Sequence, residues 1–201
     1  ARVRGGAGSG QWHTPCQRPP GRRAPPCACA KAIISKPAEL PPLPAVKLME
    51  IMREAGLPEG VFQVVQGFAE TGRLLTRHPD IAKVSLTGEV GTGKKVMADA
   101  SATLKQVTLE LGGKSPLIVF DDADLDDAVS GALLGNFYST GQVCSNGTRV
   151  FVQEGVRAAF LEKLVARVEK MVVGEPLEPV TQVGALISPP HMEKSHTNSS
   201  R

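Results

Sequence analysis

Three short segments carry side chains whose types and spacing could do chemistry. In Gly141-Gln142-Val143-Cys144-Ser145-Asn146-Gly147, one thiol sits in a small, polar, glycine-flanked stretch. A loop of that composition exposes sulfur to a substrate, and a thiolate is a strong nucleophile, although a lone cysteine also serves as an inert core filler. In Leu109-Glu110-Leu111-Gly112-Gly113-Lys114-Ser115-Pro116, one carboxylate interrupts an apolar run just before two glycines. Burial there would disfavour its charged form and suit it to take a proton from water or a thiol; a solvated, outward-facing Glu110 is the alternative. The third segment, Gly88-Glu89-Val90-Gly91-Thr92-Gly93-Lys94, fits G-x4-G-K, a pattern that turns backbone N–H groups and a helix start toward phosphate. Leu117–Phe120 followed by Asp121 could supply the acidic strand of a nucleotide hydrolase. Lys95, however, stands where magnesium needs a Ser or Thr hydroxyl, and Glu89 adds negative charge, so what remains is anion binding at a helix start.

These segments need elements to hold them, and the sequence alternates short β-branched runs with amphipathic stretches from Lys31 onward, which is the βαβ signature of an α/β fold. Strands are expected at 32–35, 61–65, 81–86, 106–111, 116–120 and 149–153. Helices are expected at 45–55, 71–77, 90–100, 125–138 and 156–172, with Asp124 as an N-cap and His78-Pro79 as a stop. The thiol then falls in a helix-to-strand loop and Glu110 on a strand.

The 201 residues are 41% hydrophobic and 21% charged, enough for a sizeable core. Residues 1–30 differ from the rest: they hold five Arg, no Asp, Glu or Lys, five Gly, five Pro and three of the four Cys. They account for the net charge of +3, since the remainder has 18 basic against 20 acidic residues. With one aromatic, Trp12, and no periodicity, that basic excess argues against a nucleic-acid partner. His13, Cys16, Cys27 and Cys29 match no tetrahedral ligand spacing, so no metal is expected, and the stretch reads as a disordered tail. The chain begins with Ala, consistent with a fragment whose first segment is foreign to the rest. No run approaches the ~20 apolar residues of a membrane helix, and the Arg-rich start lacks an apolar core; the expectation is a cytoplasmic chain without a membrane partner. Asn146-Gly147-Thr148 fits a glycosylation sequon but lies in the thiol loop.

Taken together, the E-L-G-G-K and G-Q-x-C segments resemble the aldehyde dehydrogenase superfamily, over about residues 31–192. K-P-A-E at Lys36–Glu39, E-A-G-L-P-E-G-V at Glu54–Val61 and the Thr87-Gly88 turn extend the likeness. The wording of Phe120–Val129 and Asn136–Gln153 is most similar to the betaine-aldehyde and 4-trimethylaminobutyraldehyde dehydrogenase branch.

The resemblance implies a partial Rossmann-like NAD-binding domain over 31–113 and the start of a catalytic domain over 114–192, followed by a frayed tail at 193–201. It implies NAD-dependent oxidation of an aldehyde to its acid through a thioacyl intermediate on Cys144. Glu110 would be the general base, and the Cys144 backbone N–H half of the oxyanion hole. Lys36 and Glu39 would contact the adenosine ribose and Gly67 and Gly72 the adenine side. Thr87 and Gly88 would line the pyrophosphate, and Leu111 and Gly112 would sit near the nicotinamide. The partners implied are a small aldehyde, in this branch a trimethylammonium aldehyde, and further copies, since family members are homo-oligomers. Phe137 and Tyr138 near the nucleophile read first as core residues.

Departures qualify this. Glu89 replaces a family Ser that faces the pyrophosphate, and its charge would repel phosphate. No P-W-N segment precedes Lys31 and no E-x-F-G-P-V segment follows, so weak or no turnover is expected of this chain, or a non-catalytic role in cofactor binding or subunit association.

Overall fold

A computed structural model describes residues 5–9 and 32–199, and its backbone forms two compact units that part between Gly112 and Gly113. The first contains β1 (Gly5–Ser9), β2 (Ile33–Lys36), α1 (Leu43–Glu54), β3 (Phe62–Val64), α2 (Ala69–Arg77), β4 (Ile81–Gly88), α3 (Val90–Ser101) and β5 (Gln106–Leu111). Its strands form one sheet in the order β3-β2-β1-β4-β5 with every pair parallel. The chain therefore winds outward from β1 to β2 and β3 on one side and continues through β4 and β5 on the other. That arrangement is Rossmann-like, with the reversal of strand order between β1 and β4.

The place of β1 corrects one expectation. Residues 5–9 belong to the stretch read as a disordered tail, yet they fill the middle of the sheet, pairing Gly6 with Ile33 and Ala7 with Ile34 on one side and Ala7 with Val84 on the other. Gly-Gly-Ala-Gly-Ser has almost no intrinsic strand preference. Backbone partners along both edges supply what the side chains do not, and side-chain patterning is blind to them. Trp12, His13, Cys16, Cys27 and Cys29, on which the expectation of no metal rested, lie outside the described residues.

Local sequence explains the flanking helices. α2 stops at His78, which is extended (φ −63°, ψ 126°) because the following Pro79 disfavours helical backbone before it. α3 buries Gly93, Val96 and Ala100, spaced three and four apart, against a core of Ile81, Val84 and Leu86. Gly93 gives room for Leu111 on β5: a Cβ there would lie 2.8 Å from Leu111 Cδ2, and the leucine side chain would have to shift. α2 and α3 are tied through Asp99, which accepts from Thr76 Oγ1 (3.0 Å) and Arg77 Nε (2.8 Å). Lys105, 9% exposed, donates to the carbonyls of His78 (2.5 Å) and Ile81 (2.8 Å), so the buried ammonium is hydrogen-bonded where α2 hands over to β4.

The second unit holds β6 (Pro116–Val119), α4 (Leu125–Phe137), a tight turn over Tyr138–Gly141, β7 (Arg149–Val152), α5 (Glu154–Val168) and α6 (Pro189–Ser199). β6 and β7 pair in parallel, and Val119 packs with Val129 and Ala132 of α4 and Phe160 of α5. The N-cap expected at Asp124 is present: its Oδ1 accepts from the N–H groups of Asp126 (2.9 Å) and Asp127 (3.0 Å). α6 corrects the expected frayed tail over 193–201, since helix continues to Ser199. Ser188-Pro189-Pro190 starts it: the His191 N–H donates to Ser188 Oγ (3.4 Å), and the prolines occupy first-turn positions that need no N–H partner. Among the described residues, no helix is long and apolar enough to cross a membrane.

Candidate active site

Parallel sheets present ligands at the carboxyl ends of their strands, near the reversal of strand order. At that edge of the first unit stand Lys36 at the end of β2, opposite Ser9 of β1, and Thr87 and Gly88 at the end of β4, opposite Glu110 and Leu111 of β5. Lys36 is buried, and its ammonium donates to Pro37 O (2.8 Å), Glu39 Oε1 (3.0 Å) and Gly67 O (2.9 Å). Those three bonds use its three donors. Gly67 can offer its carbonyl because it adopts φ +141°, a conformation that disfavours side chains; a Cβ there would also meet Thr71 Oγ1 at 2.0 Å. Gly72 faces the same lysine, its Cβ position 3.9 Å from Lys36 Cδ. Lys36, Glu39, Gly67 and Gly72, singled out separately along the sequence, are thus one cluster.

The electrostatics of that cluster favour a carboxylate. Partial burial pushes the Glu39 carboxyl up, but the bond from Lys36, a bond from its own backbone N–H and the Lys36 charge together hold it below its ordinary 4.5. Glu39 is exposed and ionised, an acceptor at the sheet edge.

The G-x4-G-K segment is not a phosphate loop. α3 begins at Val90, directly after the extended N-cap Glu89, so Gly91, Gly93 and Lys94 are already helical, and Gly93 is spent on packing against Leu111. A phosphate-cradling loop needs those residues outside the helix. Thr87 is buried and Gly88 exposed at the approach to it. Glu110 takes the solvated alternative: it is exposed on β5, the last strand of the sheet in the order given. Leu111 is half-buried over Gly93, and Gly112 is exposed with open space where a Cβ would stand.

In the second unit, Cys144 is a half-buried free thiol. It is the second residue of a turn closed by the Asn146 N–H donating to Val143 O (3.3 Å). The approach is irregular: Ser139, Thr140 and Gly141 all have positive φ (51°, 57° and 75°). Gln142 follows them, its Oε1 accepting from the Ile187 N–H (3.1 Å) and its Nε2 donating to Ser139 O (3.4 Å). Beyond the turn, Asn136 Nδ2 at the end of α4 donates to Ala132 O (2.8 Å) and Gly147 O (3.2 Å). Asn136 was not singled out by sequence; the signal is an amide side chain in the apolar last turns of the helix. Asn146 is 6% exposed, which closes its sequon to a modifying enzyme, and its Nδ2 and Thr148 Oγ1 are buried without hydrogen-bond partners among the described residues. Each such group costs about 1–3 kcal/mol, so the turn is held at some expense of stability. Phe137 is half-buried, whereas Tyr138, expected in a core, is exposed beside this turn, because the helix ends at Phe137.

Comparison with known proteins decides the family, for the sequence model of the aldehyde dehydrogenase family matches residues 10–200. The chain belongs to the aldehyde dehydrogenase family. The match extends beyond 31–192 and takes in part of the first thirty residues, which had looked foreign to it. The chain is 58% identical over 188 residues to a betaine aldehyde dehydrogenase of Vibrio vulnificus, covering 94% of this chain and 39% of that protein. It therefore spans well under half the length of that curated relative. Among solved structures, a betaine aldehyde dehydrogenase from Staphylococcus aureus in complex with NAD+ superposes with a TM-score of 0.94 at 34% identity, over 97% of this chain and 39% of that one. An NADP-dependent enzyme from E. coli gives 0.94 at 37% identity, over 99% and 42%.

Proposed function

We propose that this chain carries the dinucleotide-binding and nucleophile-bearing portion of an NAD-dependent dehydrogenase that oxidises an aldehyde to its carboxylic acid, with a trimethylammonium aldehyde as substrate. The observation that carries the reading is the accessible free thiol of Cys144 on a braced turn. Identity of 58% to a betaine aldehyde dehydrogenase supports the substrate class.

The residues at the sheet edge fit NAD. Glu39 is an ionised, exposed acceptor for ribose hydroxyls, and Lys36, with its donors engaged, aims Glu39 rather than reaching the ribose itself. Gly67 and Gly72 keep the adenine side free of Cβ atoms, Thr87 and Gly88 would line the pyrophosphate, and Leu111 and Gly112 the nicotinamide. NAD+, when bound, supplies the oxidant that accepts a hydride. The Cys144 thiolate attacks the aldehyde carbon, and the backbone N–H of Cys144 would stabilise the oxygen anion that forms. By family resemblance Glu110 would be the general base, taking a proton from the water that adds to the thioester carbonyl. The C–S bond then breaks, releasing the acid and restoring the Cys144 thiolate, with the water's proton left on Glu110.

The test follows Cys144 directly. Betaine aldehyde is expected to protect Cys144 of the purified chain from iodoacetamide, as read by peptide mass mapping. NAD+ is expected to bind calorimetrically and more weakly to Glu39→Gln. Equal alkylation with and without aldehyde would remove the nucleophile assignment; no heat with NAD+ would remove the cofactor assignment.

A second reading, association without catalysis, is favoured by the outer face of the β6–β7 pair, where the register partners Ile118 and Phe151 are 56% and 52% exposed. Size-exclusion chromatography showing a clean monomer would count against it.

A further inference from the structure

We infer that Gln142 is a positioning residue for the Cys144 thiol: its side-chain amide straps the left-handed backbone of residues 139–141 to Ile187. This rests on the reading of Cys144 as the nucleophile.

Left-handed backbone is cheap for glycine and costly for residues with a Cβ, above all β-branched ones. Ser139 and Thr140 both adopt it, at φ 51° and 57°, and Gly141 follows at 75°. Gly141 is confined from outside as well, since a Cβ there would stand 2.9 Å from Asn136 O. Conformations of this kind persist only where surrounding contacts over-determine them. Three such contacts are present. The Gln142 N–H donates to Ser139 O (3.1 Å), Gln142 Nε2 donates to the same carbonyl (3.4 Å), and the Ile187 N–H donates to Gln142 Oε1 (3.1 Å). A further bond from Thr140 Oγ1 to Gly184 O (3.5 Å) runs parallel to the strap. The bond to Ile187 links positions 45 apart in the chain, so it sets where the strained segment sits in the unit and not only its local shape.

The thiol inherits that position. Cys144 lies two residues beyond Gln142, in the turn that Asn146 closes onto Val143. On its far side the turn is fixed by Asn136 Nδ2 on Gly147 O and by Gly147 itself, whose Cβ position is 3.3 Å from Leu117 Cβ. The turn is therefore held at both ends, and on the near side the hold is the Gln142 amide.

The experiment separates the two bonds of that amide. Gln142→Met keeps the length and loses both; Gln142→Glu keeps an acceptor for the Ile187 N–H and loses only the donor. In Gln142→Met, the iodoacetamide rate at Cys144 is expected to move about three- to tenfold toward that of the urea-unfolded chain, the scale of one net hydrogen bond, with its pH profile moving the same way. Gln142→Glu places a negative charge two residues from the thiol, so it is judged by the Ile187 amide and not by the alkylation rate. Hydrogen exchange should show the Ile187 amide protected in the wild-type and Glu chains and unprotected in the Met chain. A wild-type Ile187 amide that exchanges freely, or a Met chain alkylated at the wild-type rate with the wild-type profile, overturns the strap. If the Met chain does not fold, Ile187 exchange in the other two chains decides. No substrate enters these measurements, so failure of aldehyde to protect Cys144 would remove the nucleophile reading and leave the strap to be judged separately.

Discussion

In the unit ending at Gly112, the candidate cofactor residues stand at the ends of paired parallel strands, whereas in the unit beginning at Gly113 the thiol stands on a turn approached through three left-handed residues. The strand ends are ordered by a ladder that extends across the sheet, and glycines there remove side chains where close approach is needed. The thiol turn has no ladder, and individual side-chain amides, Gln142 and Asn136, do the holding. A dinucleotide is a long ligand met by backbone along a rigid edge. A single attacking atom requires placement of one residue, and irregular backbone provides directions that a strand cannot.

The largest expected effect falls in the second unit. Phe160, 1% exposed, belongs to the core of the second unit with Val119, Val129 and Ala132, and Phe160→Ala is expected to lose about 3–5 kcal/mol in denaturant titration. A loss below about 1 kcal/mol would mean that Phe160 is not central to that core. Next comes Gly67→Ala in the first unit. The φ of +141° and the 2.0 Å approach to Thr71 Oγ1 predict about 1–3 kcal/mol of destabilisation, with weaker NAD+ binding because the Lys36–Glu39 cluster loses its carbonyl anchor. An alanine variant that melts and binds like wild type would erase the distinction between a backbone-limited edge and a side-chain-held turn.

The smallest effect concerns Asp99, which joins α2 to α3. Desolvation pushes its carboxyl up, but bonds from Arg77 and Thr76 and the charges of Arg77 and Arg73 outweigh this and hold it below its ordinary 3.8. A depressed carboxyl stabilises the folded chain above its ordinary value, and that contribution is lost as pH falls through the folded one. With Arg77 largely exposed, the contribution is under about 1 kcal/mol. Melting temperature of the wild-type chain should therefore fall more steeply below pH ~4 than that of Asp99→Asn; parallel curves would remove Asp99 from the account.

The alternating pattern of βαβ units was legible because its signals are local: β-branched runs, Asp124 before a helix, Pro79 after one. β5 falls at 106–111 as its pattern predicts. β1 was not legible, since a glycine-rich pentapeptide becomes a strand only when neighbours pair with both its edges. For Glu110 the sequence left burial and exposure both open; its exposed place on β5, at one end of the strand order, is set by which strands pair and not by its apolar neighbours in sequence. Cys144 was legible from its glycine-flanked loop, while the Gln142 bond to Ile187 spans a distance that no local pattern reports.

Lys105 lends itself to a different use. Acylating reagents consume exposed lysine amines quickly, but this one is enclosed with two carbonyls at the handover from α2 to β4. Its modification must wait until that junction opens, so the lag between surface labelling and labelling at Lys105 is a built-in clock for the breathing of the sheet.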